Sequence, residues 1–291
     1  MSKHNLMNVD HSYGEDLFAT SGAVVQVWNY ERSLPLQTFN SWEVDNVTKL
    51  RFNPSETNLI GAVCSDRSVC FYDIRGQSAL QKVYLKNKSS ALCWNPQEPM
   101  NLVVGNENSN CYTFDMRKLD QPKMVHKDHL QAVLDVDFAP HGKEFTTASY
   151  DKTIRIFGFN EGRSREVYHT KRMQQVSAIV YSMDGKYVCT GSEDTNIRVW
   201  KAHAAEELKP LLPREKEQLA HANKLKRKFR HNAEIKRILR HRHLPKLLVK
   251  KQKVRQVKKE SAHRKLDNMR ANNRAEDVPF VPQRSKDLDT R

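Results

Sequence analysis

Ser149-Tyr150-Asp151-Lys152-Thr153-Ile154-Arg155-Ile156-Phe157 and Ser192-Glu193-Asp194-Thr195-Asn196-Ile197-Arg198-Val199-Trp200 share one pattern: a polar turn, a β-branched run and a closing aromatic. Ser65-Asp66-Arg67-Ser68-Val69-Cys70-Phe71-Tyr72-Asp73 is a third copy. Working outward, the closing aromatics form a ladder of Trp28, Tyr72, Phe114, Phe157 and Trp200, spaced 44, 42, 43 and 43 residues apart. Six positions before each anchor stand Gly22, Asp66, Asn108, Asp151 and Asp194, residue types that tolerate a tight turn between strands. Three positions before stand Val25, Val69, Cys111, Ile154 and Ile197, apolar residues that suit a buried strand. A second ladder runs through Phe52, Trp94, Phe138 and Tyr181, followed by Asn53-Pro54, Asn95-Pro96, Ala139-Pro140 and Asp184-Gly185. Each period therefore holds several short strands with their punctuation, and a period of about 40–45 residues is that of a four-stranded β-propeller blade.

The closing halves of these repeats resemble WD-repeat blades. The opening Gly-His of such repeats is poorly kept, with Asp128-His129 its best counterpart. The expected fold is mostly β: a partial WD-repeat β-propeller over 1–203, followed by a basic α-helical extension over 204–291. The repeats divide into four complete blades at 43–86, 87–129, 130–173 and 174–203, preceded by a fragment at 5–42. Propellers of this kind usually have more blades, so the chain is expected to lack its first ones and to carry unpaired sheet faces at both ends of the stack.

Charge separates the two parts. The chain has 291 residues, 38% of them apolar, and a formal net charge of +15. Residues 1–200 hold 22 Lys and Arg against 23 Asp and Glu, whereas residues 201–291 hold 27 against 11. The five cysteines (64, 70, 93, 111 and 189) lie in the neutral part without the dense spacing of a disulfide scaffold, and read as buried thiols. The start, Met1-Ser2-Lys3-His4, lacks the apolar run of a secretory signal, and no stretch is apolar enough to span a bilayer. A cytosolic or nuclear protein without membrane partners is expected.

After Trp200 the aromatics fade. Leu211-Leu212-Pro213-Arg214-Glu215 suits a helix start, with Pro213 where its missing N–H costs little. Pro245 interrupts the helical periodicity, and a second stretch is expected from about Lys246 to Arg274; Asp277–Pro282 should be extended or disordered. Ile235-Lys236-Arg237-Ile238-Leu239-Arg240-His241-Arg242-His243-Leu244-Pro245-Lys246 resembles the basic C-terminal extension of the Sof-like WD-repeat proteins. Ser164-Arg165-Glu166-Val167-Tyr168-His169-Thr170-Lys171-Arg172-Met173 fits the same family.

That resemblance implies a noncatalytic nucleolar scaffold of the small-subunit processome, required for pre-rRNA processing. Its partners would be pre-rRNA, a box C/D small nucleolar ribonucleoprotein and other processome proteins. The charge reading agrees, since neutralising RNA phosphates with Lys and Arg releases counterions without base contacts. The candidate RNA-binding residues are Lys226, Arg227, Lys228, Arg230, Lys236, Arg237, Arg240, Arg242, Lys246, Lys250, Lys251, Lys253, Arg255, Lys258 and Lys259. Only Phe229 and Phe280 are aromatic there, so base stacking should be minor. The same cationic runs would also serve as a nuclear import signal.

Two further features bear on function. Tyr72-Asp73-Ile74-Arg75 and Phe114-Asp115-Met116-Arg117 look like Trp-Asp-x-Arg boxes with the Trp replaced. By such boxes some WD-repeat proteins dock on the adaptor of a cullin-RING ubiquitin ligase, to which related animal proteins are linked. Asp73, Arg75, Asp115 and Arg117 are therefore candidate protein contacts, and the alternative function is a substrate receptor of that ligase. His231, His241 and His243 lack the converging ligands of a metal site. No nucleophile with its base, acid pair or phosphate-cradling glycine loop stands in a supporting context, so no enzyme activity, metal or cofactor is expected.

Overall fold

The computed structural model describes residues 5–39, 46–76, 78–207, 210–242, 244–274, 276–282 and 284–289. Nineteen strands among them pair into five antiparallel sheets. The first contains β1 (Asn8–His11), β2 (Leu17–Ser21), β3 (Val25–Asn29) and β4 (Gln37–Phe39). The second contains β5 (Val47–Phe52), β6 (Leu59–Cys64), β7 (Ser68–Asp73) and β8 (Ala79–Tyr84). The third contains β9 (Ser89–Trp94), β10 (Asn101–Asn106), β11 (Cys111–Asp115) and β12 (Met124–His126). The fourth contains β13 (Val133–Phe138), β14 (Glu144–Ser149), β15 (Ile154–Gly158) and β16 (Ser164–Tyr168), and the fifth β17 (Val176–Tyr181), β18 (Tyr187–Ser192) and β19 (Ile197–Lys201). In every sheet the strands follow chain order, and neighbouring sheets meet along their first strands, as propeller blades do.

Four four-stranded blades and one incomplete blade match the expected count. Which blade is incomplete differs from the expectation. Within the expected fragment, Asn8–Phe39 make a full four-stranded sheet, and among the described residues it is the unit at 174–203 that has three strands. The strand β1, Asn-Val-Asp-His, escaped notice because alternate residues face solvent and its one apolar member, Val9, is exposed.

The turn residues of the first ladder act as their type predicts. Asp66, Asn108 and Asp151 each accept, through Oδ1, the backbone N–H two residues ahead, at 2.9–3.0 Å. The residue after four of the five turn anchors, Arg67, Ser109, Lys152 and Thr195, has φ between 62° and 72°. This left-handed position closes a short hairpin loop. The second ladder ties blades together: Asn53 Nδ2–H donates to Pro99 O at 2.8 Å, and Asn95 Nδ2–H donates to Gly142 O at 3.0 Å, one blade further on. Gly142 has φ +65° and lies against Asn95 and Gln97, where a Cβ would strike Asn95 Oδ1 at 2.4 Å.

Apolar runs are continuous because each middle strand serves two cores. Along β7, Cys70 and Tyr72 pack with Val27, Phe39 and Leu50 towards the first sheet. Val69 and Phe71 pack with Leu92, Trp94 and Phe114 towards the third. Further along, Val136, Phe138, Phe145 and Phe157 fill the next interface, and Ile154, Val176, Ile179 and Tyr181 the last. The two ends of the stack have no such cover: Leu6, Met7 and Val9 at one end, and Val180, Ile197 and Val199 at the other, are exposed.

Asp128-His129 provides one buried hydrogen-bond network. His129 Nδ1 lies 3.0 Å from Asp151 Oδ2, and its Nε2 lies 2.6 Å from Thr147 Oγ1. Burial pushes the His129 pKa down although the Asp151 carboxylate opposes it. Cys64, Cys70 and Cys111 are buried and Cys93 and Cys189 half-buried, all as free thiols.

Candidate nucleic-acid interface

Three helices follow the blades: α1 (Pro213–Lys228), α2 (Ala233–Arg240) and α3 (Lys246–Asn272). Pro213 opens α1 where no intrahelical N–H is needed, and the Glu215 carboxylate accepts the Leu212 N–H at 3.2 Å. Lys226, Arg227 and Lys228 complete its last turn, where cations suit the negative end of the helix dipole. Phe229–Asn232 breaks the helix, and Asn232 Oδ1 caps α2 by accepting the Glu234 N–H at 3.1 Å. The expected helix from Lys246 to Arg274 is α3.

The arm is docked on the blades. On α3, Leu248 is buried and Arg255, Leu266 and Arg270 are half-buried, a spacing that puts them on one helix face. Just before it, Arg242 Nη1–H donates to Asp128 Oδ2 at 3.1 Å and to Ser164 Oγ at 2.7 Å, while its Nη2 reaches Ser164 O. Asp128 also pairs with the buried Arg155 at 2.8 Å. Burial of Asp128 favours its neutral form, yet Arg155, Ser164 and Arg242 together hold its carboxyl below the usual range. Arg255 Nη1–H donates to His129 O at 2.5 Å. In the last turn of α3, Arg270 lies over the ring of Phe280, from beyond the helix, at 5.2 Å.

The chain then returns to the second blade. Lys86 N–H donates to Asp287 O and Asp289 N–H to Tyr84 O, both at 3.0 Å. Between them Leu288 bridges Leu85 and packs into the core shared with Phe71 and Trp94. Where arm meets blade, Lys127 is half-buried; that burial, with Lys259, Lys286 and Arg255 nearby, holds its pKa down against the pull of Asp287. Burial and Arg255 likewise lower Lys259.

The fifteen cations read from the sequence thus fall into groups. Lys226, Arg227, Lys228, Arg230, Lys236, Arg237, Lys246, Lys250, Lys251, Lys253, Lys258 and Lys259 are exposed. Arg242 and Arg255 are engaged with the blades instead of pointing outwards. The Arg240 side chain and His243 lie outside the described residues. Lys226, Arg227, Arg230 and Lys236 converge with Asn223 and Leu239 on a cleft of about 740 Å³ between α1 and α2. In the sequence Asp128 reads as part of an opening dipeptide and Ser164 as part of a family string, and Leu288 has no role; their part in docking comes only from the distant chain.

The two aromatic-Asp-x-Arg boxes sit at the ends of β7 and β11 in adjacent blades. Asp73 Oδ1 accepts from Arg75 N–H at 2.9 Å and Nε–H at 3.2 Å, and its Oδ2 accepts from Nη2–H at 3.1 Å. Asp115 holds Arg117 in the same way at 3.0, 3.2 and 3.1 Å. The bonds from Arg75 and Arg117 hold the two carboxyls below the usual range, against slight burial. Arg75 is 69% exposed and Arg117 74% exposed in their side chains, so both guanidiniums present one face to solvent.

Comparison with known proteins agrees with this architecture. WD domain, G-beta repeats match residues 33–73, 120–158 and 165–201, and a Sof1-like domain matches residues 202–288. Protein SOF1 of Saccharomyces cerevisiae is 44% identical over 280 residues, covering 96% of this chain and 57% of the yeast protein. DDB1- and CUL4-associated factor 13 of Xenopus laevis is 45% identical over 286 residues, covering 98% of this chain and 64% of that protein. The mouse protein of the same name is 47% identical over 278 residues, covering 96% and 62%. The chain therefore spans about three fifths of the length of these relatives. With WD repeats followed in order by a Sof1-like domain, the chain belongs to the Sof1-like WD-repeat family.

Proposed function

We propose that the protein is a noncatalytic scaffold of ribosome biogenesis that acts in the nucleus and nucleolus. In this reading the blades contact other processome proteins, and the arm contacts pre-rRNA beside a box C/D small nucleolar ribonucleoprotein. One observation carries it: twelve of the chosen cations remain exposed on an arm that is itself fastened to the blades by Arg242, Arg255 and Leu288. Fastening removes much of the ordering cost that a free basic tail meets on binding. The units behind it are blades within 1–203 and an arm within 204–291.

Deleting residues 214–274 should leave small-subunit rRNA precursors unprocessed, and normal processing would refute the reading. In vitro, six to eight phosphate contacts on single-stranded RNA give log affinity a slope against log salt of roughly −4 to −6. A slope near zero contradicts contact through phosphates.

A second reading is favoured by the boxes: a substrate receptor that docks on a cullin-RING ligase adaptor. Its support is the matched pair of Asp-held guanidiniums, Arg75 and Arg117, together with relatives named DDB1- and CUL4-associated factor 13. Reversing both charges, Arg75→Glu with Arg117→Glu, should abolish adaptor capture; undiminished capture removes this reading. It makes no demand on the charge of the arm.

A further inference from the structure

We propose that the α1–α2 cleft is the seat of the sugar-phosphate backbone of a single-stranded RNA segment. The proposal rests on the RNA reading above and locates it. On α1, Asn223, Lys226 and Arg227 follow the i, i+3, i+4 spacing of a single helix face, and that face lines the cleft together with Arg230 in the turn after the helix. Lys236 and Leu239 of α2 line the opposite wall, one turn apart. The lining holds no carboxylate among the described residues.

This arrangement inverts an ordinary helix hairpin. Two helices joined by a short turn normally bury their apolar stripes against each other and leave charge outside. Here the cations line the cleft, while Leu225 and Ile238 are not among its lining residues and are 44% and 65% exposed. Converging like charges repel, so the cleft gains energy only when an anion occupies it. Its volume of about 740 Å³ lies within the range of ligand sites and far above that of one small ion.

The chemistry favours a nucleic-acid backbone. Arg227 and Arg230 offer forks suited to phosphate oxygens, and Lys226 adds a point charge. Lys226 and Arg227 on α1 and Arg230 in the turn that follows line one side of the cleft, so they can meet neighbouring phosphates of one strand. Leu239 gives a ribose or base edge one apolar contact and no hydrogen-bond code, so recognition should be blind to sequence.

The test uses the full chain and a fluorescent ten-nucleotide oligouridylate, with binding followed by anisotropy over a salt series. One variant carries Lys226→Gln, Arg227→Gln, Arg230→Gln and Lys236→Gln; the other removes the same charge from α3 through Lys250→Gln, Lys251→Gln, Lys253→Gln and Lys258→Gln. The cleft variant should lose at least about tenfold more affinity than the α3 variant at low salt, and its salt slope should become shallower by about 3, as expected for four lost contacts. Equal losses in the two variants would overturn the cleft as the seat while leaving the RNA reading intact. Unchanged binding in both would overturn the RNA reading itself. Displacement of the probe by polyglutamate more effectively than by unlabelled oligouridylate, in the parent but not the cleft variant, would assign the cleft to an acidic peptide and overturn the proposal.

Discussion

The fourth and fifth blades carry the same closing pattern in different surroundings. Lys152 and Thr195 take the same left-handed turn conformation, with φ 64° and 62°. Both strands then pair in the same way with their predecessors, Ala148 opposite Ile154 and Gly191 opposite Ile197. Yet Ile154 and Ile156 are fully buried, whereas Ile197 and Val199 are 81% and 62% exposed. The repeat pattern specifies turns and strand pairing, which are local; burial depends on a neighbouring sheet and an outer strand, which the pattern cannot supply for itself. The turn aspartates diverge accordingly. Asp151 is buried against His129, whereas Asp194 turns to Arg198 and Ser192 within its own hairpin.

The comparison is broken most severely at Asp128. Asp128→Ala leaves the buried Arg155 without its counter-charge, and removing one partner of a buried pair costs about 3–5 kcal/mol. In the fifth blade Asp194 pairs with an arginine that reaches solvent, Arg198 being 18% exposed against 3% for Arg155, so Asp194→Ala should cost less, roughly 1 kcal/mol. Denaturant unfolding of both variants measures the contrast, and equal losses would show that the fourth blade owes nothing to its burial. Next comes the apolar pair at one repeat position. Ile156→Ala should destabilise by about 2–4 kcal/mol through the cavity it leaves, while Val199→Ala should stay within about 0.5 kcal/mol.

A third difference concerns protons. His126 on β12 seals the fourth blade edge-on against Phe145 and Phe157, at 4.8 and 5.4 Å. Its Nε2 lies 2.8 Å from Thr113 Oγ1 and its Nδ1 2.6 Å from Glu161 O. Burial pushes its pKa down to about 4, against the bond to Glu161. The folded protein therefore resists a proton that the unfolded chain accepts below its ordinary value of 6.5. Stability should fall as pH drops from about 6.5 to about 4 and level off below, by up to about 3 kcal/mol from this group. His129 is depressed for the same reason and adds in the same direction. In His126→Gln the acid limb should be shallower; an unchanged limb would mean that this ring does not carry the effect.

How much of this was legible in the sequence follows the same division between local and distant causes. The aromatic ladder located the turns because an Asp or Asn at a tight bend satisfies its own backbone, whatever surrounds it. The helix start at Pro213 and the stretch from Lys246 were legible for the same reason. Residues 5–42 read as a fragment because β1 half-buries polar Asn8 and Asp10 and turns its one apolar residue, Val9, to solvent, with no apolar face to betray it. Docking of the arm was invisible. Arg242 stands in a run with Arg237 and Arg240, and what distinguishes it is Asp128, 114 residues earlier in the chain. Leu288, among Lys and Asp residues near the end, becomes a core residue only because the chain returns to β8.

The smallest predicted effect separates fastening of the arm from stability of the blades. Arg242→Ala leaves Asp128 paired with Arg155, so no buried charge is orphaned. Arg242 is itself about a third exposed, so solvent screens the lost pair, and global stability should fall by only about 1 kcal/mol. Its local consequence is larger than its global one. With Arg242 gone, α3 keeps the Arg255 bond to His129 O but loses the anchor just before its first turn, so amide exchange in the first turns of α3 should accelerate while exchange in β14 and β15 stays as slow as before. Arg242→Lys should rescue this poorly, since a single ammonium cannot bridge Asp128 Oδ2, Ser164 Oγ and Ser164 O as the guanidinium does. Unchanged exchange in α3 would mean that the remaining contacts, the Arg255 bond to His129 O among them, suffice. Acceleration in α3 and β15 together would mean that arm and fourth blade unfold as one unit, and the contrast between docked arm and buried blade would then dissolve.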